Sequence, residues 1–279
     1  MTTSFTVFGA SGFVGGRIAN KLRSMGHNVS TPSREEIENL DFSKGLGRVV
    51  YAIGLTADFR QRPYDTMYAH VSLINNILTN DRFESLIYLS STRVYKGLDS
   101  TEEARSLQVN PNDPDDIYNI SKLAGEAVCF SHGGLGTKIV RLSNIVGPTE
   151  YCRQTFLGQI CNSAREQKHV ALRSSLNTEK DYIWIDDAVS SVIRIMQSGK
   201  HKIYNVGRGK QTSHREWMQV ISDSTGCEMS VEPNAPNGSF PKIDVTRLQD
   251  EYSFDFIDPI TQIGRMLNAN VTETSGIDP

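Results

Sequence analysis

A doubly wound α/β fold with a parallel central sheet is predicted by three features of this 279-residue sequence. Short apolar runs alternate with helix-length stretches through the first half of the chain. A glycine-rich turn follows the first apolar run. After Pro148 the alternation loosens into a less regular pattern. Strands separated by helices imply βαβ units and a parallel sheet covered on both faces.

The elements follow in order. Residues 5–8 form a short aromatic and β-branched run and read as a strand, 17–25 as a helix and 28–31 as a strand. Residues 48–53 read as a strand, 68–79 as a helix, 86–90 as a strand, 117–131 as a helix and 138–142 as a strand. These five strands suffice for a doubly wound core. Beyond Pro148, residues 154–167 look helical, and short strands at 182–185 and 202–205 flank a helix at 187–197. A further helix covers 213–224. Three prolines, Gly238 and two asparagines make 232–241 a surface loop, and a last helix spans 259–267 before a polar tail expected to fray.

Composition narrows the function classes. Hydrophobic residues make up 38% and charged residues 22%, which excludes disordered, collagen-like and coiled-coil chains. Lys+Arg (29) nearly balances Asp+Glu (32), for a net charge of −3, so no electrostatic argument favours nucleic acid or an anionic membrane. No apolar run approaches the ~20 residues of a membrane span. Residues 1–7 lack the basic patch and apolar core of a signal peptide, and a cytoplasmic location is expected. Cys129, Cys152, Cys161 and Cys227 are scattered without ligand spacing, so they read as mostly buried thiols and no metal site is expected.

Gly9-Ala10-Ser11-Gly12-Phe13-Val14-Gly15 follows a strand and opens a helix. Such glycines let a turn close, let backbone approach a pyrophosphate and let helix pack on strand, while the helix N-terminus offers free N–H groups. Gly9, Ser11, Gly12, Phe13, Val14 and Gly15 are therefore candidate cofactor residues. A glycine motif alone is weak; its place at the first strand–helix junction strengthens it. Where NAD sites end the second strand with an acid, this chain has Ser33 and then Arg34. A hydroxyl and a guanidinium suit a 2′-phosphate, which predicts NADP(H). NAD(H) is the alternative, because Glu35 and Glu36 adjoin. Arg17 is either a second phosphate contact or part of a solvated helix face.

Tyr118-Asn119-Ile120-Ser121-Lys122 lies in a predicted helix, where residues four apart share a face. Lys122 beside the Tyr118 phenol would lower a pKa that is ordinarily ~10. The strand at 86–90 leads into Ser90-Ser91-Thr92-Arg93-Val94-Tyr95, and ligands of open α/β sheets bind beyond the carboxyl ends of strands. Ser91, with Ser90 as the alternative, is placed to donate a hydrogen bond to a substrate oxygen. Arg93 follows closely enough to face the substrate. Arg60 and Arg62 read as part of a mobile loop, and Asp186-Asp187 as a cap for the helix that follows.

Together these segments resemble the extended short-chain dehydrogenase/reductase superfamily, in its NAD(P)-dependent epimerase/dehydratase branch, to about residue 267. The carriers are GASGFVG at 9–15, Asp41-Phe42, SSTRVY at 90–95, YNISK at 118–122, RLSNIVGP at 141–148, KDYIWIDD at 180–187 and YNVGRG at 204–209. The resemblance implies a Rossmann fold with a smaller interleaved C-terminal substrate domain. Residues 1–148 would bind the dinucleotide, about 183–206 would return to that domain, and 149–279 would mainly form a substrate lid. It implies Ser91, Tyr118 and Lys122 as the catalytic set, Lys122 also holding the nicotinamide ribose. Asp41 and Phe42 would line the adenine pocket, Asn144 would lie beside the sugar, and Cys152 would sit where the lid meets the substrate. A homodimer through the helices at 68–78 and 117–130 is also implied.

Departures from the family pattern refine the expectation. His70-Val71 stands where relatives read Asn-Val, and His70 reads as a structural histidine or a titrating group near the site. Lys180-Asp181 replaces Arg-Asp. The late arginine for a nucleotide diphosphate is missing from 236–244, leaving Lys242, Arg208 or Arg173 as substitutes. Thr92-Arg93 occupies the place of the Asp-Glu pair that dehydratases use, which disfavours water elimination. The expected function is therefore NADP-dependent reduction of a keto group on a small-molecule sugar, nucleotide-linked. The alternatives are a nucleotide-sugar epimerase retaining NAD and a non-catalytic NADP-binding regulatory protein.

Overall fold

The computed structural model describes residues 3–132, 136–148 and 155–274. β1 (Ser4–Phe8) feeds the glycine turn and α1 (Phe13–Ser24), followed by β2 (Asn28–Ser30), α2 (Arg34–Glu38), a 3-10 turn at Phe42–Lys44 and β3 (Arg48–Tyr51). Next come α3 (Pro63–Met67), a π-helical turn at Tyr68–Ser72, α4 (Leu73–Asn80), β4 (Ser85–Ser91), α5 (Ile117–Ser131), β5 (Thr137–Leu142) and β6 (Asn144–Val146). Then follow α6 (Phe156–Glu166), β7 (His169–Leu172), β8 (Glu179–Trp184), α7 (Ile185–Ser198), β9 (Ile203–Val206) and β10 (Gln211–Ser213). The chain ends through α8 (His214–Thr225), β11 (Glu228–Val231), α9 (Thr246–Glu251) and α10 (Pro259–Thr274).

The six-stranded main sheet is Rossmann-like, parallel throughout, in the order β2-β1-β3-β4-β5-β9. Its alternating side chains build two cores. Val7, Val50, Ile87, Leu89, Val140 and Tyr204 face α1 and α7, while Phe8, Val49, Tyr51, Leu86, Tyr88 and Ile139 face α4 and α5. A three-stranded sheet, β10-β8-β6, and a two-stranded sheet, β11-β7, lie outside it. These small sheets account for most of what the sequence pattern left out, since their strands are three to six residues long. The last helix, expected to end at 267, continues to Thr274.

The strand order reverses between β1 and β3, because the chain leaves β1 toward β2 and comes back on the other side. That switch point opens a crevice at the carboxyl ends of the strands. The helix expected at 68–79 is longer and widened by the π turn. Its Ala69 and His70 carbonyls accept from the phenols of Tyr51 (2.5 Å) and Tyr88 (3.0 Å), which satisfies groups that a regular helix would pair internally. Gly125 on α5 permits this approach, since a Cβ there would overlap the His70 carbonyl and the Tyr88 hydroxyl.

Candidate active site

The glycine turn sits at the switch point. Gly9 has φ +82°, and a Cβ on it would lie 2.8 Å from the Ala52 backbone beyond β3. A Cβ on Gly15 would overlap the Gly9 carbonyl, so strand, turn and helix can meet only as glycine. No side chain caps α1 at Gly12, and its first turn holds no acid. These features fit a pyrophosphate, with Ser11 and Gly12 exposed at the helix end. Phe13 and Val14 pack partly against the core, and the Phe13 ring closes on Gly147, where a Cβ would stand 2.7 Å from it. Arg17 lies on the exposed face of α1, the second of its expected settings, and there forms a bidentate pair with Asp186 at 2.7 and 3.1 Å. Asp187 accepts from the Ile257 N–H at 2.7 Å. The Asp186-Asp187 pair therefore ties elements together instead of capping α7, whose N-cap is Trp184.

Beyond β2 the cofactor signals divide. Ser33 forms a capping box with Glu36, its hydroxyl accepting from the Glu36 N–H while the Glu36 carboxylate accepts from the Ser33 N–H. Arg34 is exposed and, among the described residues, has no ion-pair partner. Arg23 reaches the Thr31 hydroxyl at 3.1 Å, placing a second guanidinium at this strand end. Against these cations, Glu35, Glu36 and Asp41 line a cavity of about 580 Å³ with Thr31 and Pro32. The Asp41 carboxylate is held below its ordinary pKa by hydrogen bonds from Ser43. Phe42 beside it packs partly against the α4–α5 core.

Tyr118 and Lys122 share the buried face of α5, as the spacing requires, and Ser91 ends β4 beside them. Ser91 accepts from the Arg93 N–H at 3.1 Å. Burial raises the Tyr118 pKa; the nearby Ser91 hydroxyl and the Arg93 charge pull it part of the way back. Lys122 does not supply that pull, contrary to the sequence expectation. β3 stops opposite Tyr88, so the next stretch of β4 lacks a partner on that edge, and the Lys122 ammonium donates to the Leu89 carbonyl at 2.9 Å. Burial pushes the Lys122 pKa down to about 7. Ser90, the alternative serine, is committed to Glu126 at 2.5 Å.

His70 is buried and neutral. Its Nε2 accepts from the Leu55 N–H at 3.3 Å, so Nδ1 carries the proton and donates to Ser121 Oγ at 2.8 Å; that hydroxyl donates on to the Tyr118 carbonyl. Burial, helped by Lys122, drives its pKa down to about 2, which leaves the structural reading. A Cβ on Gly54 would lie 3.1 Å from His70 Nε2 and 3.4 Å from Lys122 Nζ, so the turn beyond β3 closes on both side chains.

Arg93 lies over two rings, 5.3 Å from the Phe59 centroid and 5.7 Å from that of Tyr118. Its Nε is buried without a partner among the described residues. Arg60 and Arg62 are exposed but paired, with Asp115 and Asp65. Asn144 donates to the Asp181 carbonyl at 2.8 Å, on an exposed stretch of β6. Asp181 itself is buried and accepts from Ser143 and from the backbone of Arg208 and Lys210, stitching β8 to the turn beyond β9. Of the three cations expected to substitute for the late arginine, Arg208 pairs with Asp258 and Arg173 with Glu232, while Lys242 is exposed without an ion pair among the described residues. Cys152 lies outside the described residues. Phe59 and Lys180 were missed by sequence reasoning. Lys180 carried a signal, as the cation in the place of the family's arginine; Phe59 carried none.

This arrangement, a glycine turn at the switch point of a parallel sheet with a tyrosine, lysine and serine at the strand ends, defines an enzyme of the extended short-chain dehydrogenase/reductase class. A sequence profile of the NAD dependent epimerase/dehydratase family matches residues 5–207, and the chain belongs to that family. It is 24% identical over 264 residues to GDP-mannose 3,5-epimerase 1 of Oryza sativa subsp. indica, covering 81% of this chain and 70% of the relative. Among solved structures, MoeE5 in complex with UDP-glucose and NAD superposes with a TM-score of 0.81 at 17% identity, over 98% of this chain and 100% of that one. RMD from Pseudomonas aeruginosa complexed with NADPH superposes with a TM-score of 0.79 at 22% identity, over 96% and 99%. At these identities the structural likeness is one of fold. No helix among the described residues is long and apolar enough to cross a membrane.

Proposed function

We propose that this chain is an NADP(H)-dependent oxidoreductase that reduces a keto group on a nucleotide-linked sugar. The observation that carries the reading is the placement of Ser91, at the end of β4, by the buried Tyr118 phenol whose pKa it lowers, with Lys122 one helical turn further on, at the strand ends beside the glycine turn. Gly9–Gly15 and the free end of α1 would hold the pyrophosphate, and Ser33 and Arg34 the 2′-phosphate. Asp41 and Phe42 would border the adenine. The bound nicotinamide supplies the hydride. Tyr118 gives its phenolic proton to the carbonyl oxygen as that oxygen becomes a hydroxyl, while Ser91 donates a hydrogen bond to the same oxygen. Arg93 stabilises the phenolate left behind, and Lys122 holds the nicotinamide ribose. Asn144, its amide N–H on Asp181, keeps its Oδ1 for a sugar hydroxyl.

In this reading residues 1–148 with about 183–206 bind the dinucleotide, supported by β9 at the edge of the main sheet. The remainder, with Cys152, borders the sugar. A cytoplasmic homodimer through the outer face of α5, where Phe130 is 40% exposed, completes the proposal.

One observation favours a second reading, a sugar epimerase retaining NAD: the acids Glu35, Glu36 and Asp41 around the cavity beyond β2 would repel a 2′-phosphate. Heat-released dinucleotide identified by mass spectrometry, together with NADPH oxidation against a panel of nucleotide-linked keto-sugars, separates the two. Little retained cofactor and NADPH consumption are expected. Bound NAD in one-to-one ratio, without net NADPH use, transfers the chain to the epimerase reading.

A further inference from the structure

The cations around Tyr118 are unevenly neutralised. Arg60 is paired with Asp115, and Lys96 stands near Asp113 and Asp116. The remaining Asp116 oxygens are occupied too, by the Asn110 N–H and the Asn119 amide. Arg93 lies on ring faces and feels the charges of Asp115 and Asp116, but no ion pair reaches it and its Nε–H is buried with no acceptor among the described residues. Lys180 on β8 is half-buried, lies 5.6 Å from the Phe240 ring and has no carboxylate partner among the described residues. Burial lowers the Lys180 pKa first, and the Arg93 charge lowers it further.

Keeping a cation half out of water without a directly bonded carboxylate costs free energy, so its persistence points to a partner that arrives with the ligand. Resting on the reading above, we infer that Arg93, assisted by Lys180, holds a carboxylate on the sugar, borne by the carbon next to the one whose oxygen Tyr118 serves. The substrate is then an acidic sugar, not a neutral hexose. A guanidinium matches a carboxylate with two parallel hydrogen bonds, and the vacant Nε–H is one of the donors such a pair uses. The phenol beneath Arg93 fixes the distance from the reacting carbon: a group touching both must be its near neighbour. The nucleotide diphosphate, on the far side of the sugar ring, is the other anion available, so the test separates the two.

The test is calorimetric titration of the NADP⁺-loaded and NAD⁺-loaded protein with matched pairs: UDP-glucuronic acid against UDP-glucose, GDP-mannuronic acid against GDP-mannose, and UDP alone. For at least one base, the acidic sugar should bind roughly ten- to hundred-fold more tightly, as expected of a charge-assisted hydrogen bond. Arg93→Met should bring that ratio to near one, and Arg93→Lys should restore part of it, both at wild-type melting temperature. Parity within every pair that binds overturns the inference and leaves the nucleotide-sugar reading standing. A ratio that survives Arg93→Met while affinity for UDP alone falls assigns Arg93 to the diphosphate and also overturns it. If no nucleotide sugar binds under either cofactor, the broader reading fails and takes this one with it.

Discussion

Two polar clusters share one face of α5 and have opposite fates. Tyr118, Lys122 and Glu126 follow at intervals of four, so all three point at the sheet. Glu126 is fully matched: it accepts from Arg141 at 2.6 and 3.0 Å and from Ser90 at 2.5 Å, with both members of the ion pair 4% exposed. Arg141 spends another donor on the Tyr95 hydroxyl, which donates to Asn205. Toward the N-terminal end of α5, Lys122 holds one backbone carbonyl, and Arg93, over the Tyr118 ring from the turn after β4, has no acceptor for its Nε–H among the described residues. Within one helix, the set whose partners are all inside the chain maintains the fold. The set with vacancies lies where the crevice opens.

That contrast predicts a reciprocal pair of variants. Glu126→Ala leaves the Arg141 charge buried alone and should cost about 3–5 kcal/mol of stability in urea unfolding. Tyr118→Phe should lower turnover about 10²- to 10⁴-fold while melting near the wild-type temperature. A Glu126 variant as stable as wild type, or a Tyr118 variant that turns over unchanged, would erase the distinction between the two clusters.

Lys122 sharpens it through pH. Its native pKa of about 7 lies below the ordinary 10.5 because burial disfavours the charge. Between those values the unfolded chain binds a proton that the native state has released, so stability rises with pH across the window, by up to about 1.4 kcal/mol per pH unit. Urea titrations of the cofactor-free protein between pH 7 and 9 should show the rise, and Lys122→Met should flatten it. A bound cofactor whose ribose gives the ammonium acceptors should raise the pKa and narrow the window. A slope unchanged in Lys122→Met would place the titration elsewhere.

Local pattern reached far into this molecule, and stopped at partners distant in sequence. The glycine turn and the Tyr118–Lys122 spacing were legible because each is written within a few residues. The capping box was equally legible as Ser33-x-x-Glu36; it occupies the Ser33 hydroxyl oxygen as an acceptor and leaves its O–H to donate to the cofactor. β6 and β10 escaped because three residues carry too little alternation to register. Arg17 and Asp186 are 169 positions apart, so nothing local announced their pairing. The vacancy at Arg93 is likewise invisible in sequence, since an unpaired cation is defined by everything that folds around it.

The smallest expected effect tests the link between the crevice and the helix. His70 joins the Leu55 N–H to Ser121 and can do so only while neutral. With its native pKa near 2 against an ordinary 6.5, the unfolded chain takes up a proton below pH 6.5 that the native state refuses. Stability therefore falls as pH drops through that window, by up to about 2 kcal/mol at pH 5 for one such histidine. His214 adds a second term of the same sign, since burial takes its pKa down to about 4. His70→Asn should lose stability at every pH yet show a smaller difference between pH 7 and pH 5 than wild type, because only the His214 share remains. An undiminished difference would mean that the native state can protonate His70, and that the turn beyond β3 is not anchored through its neutral ring.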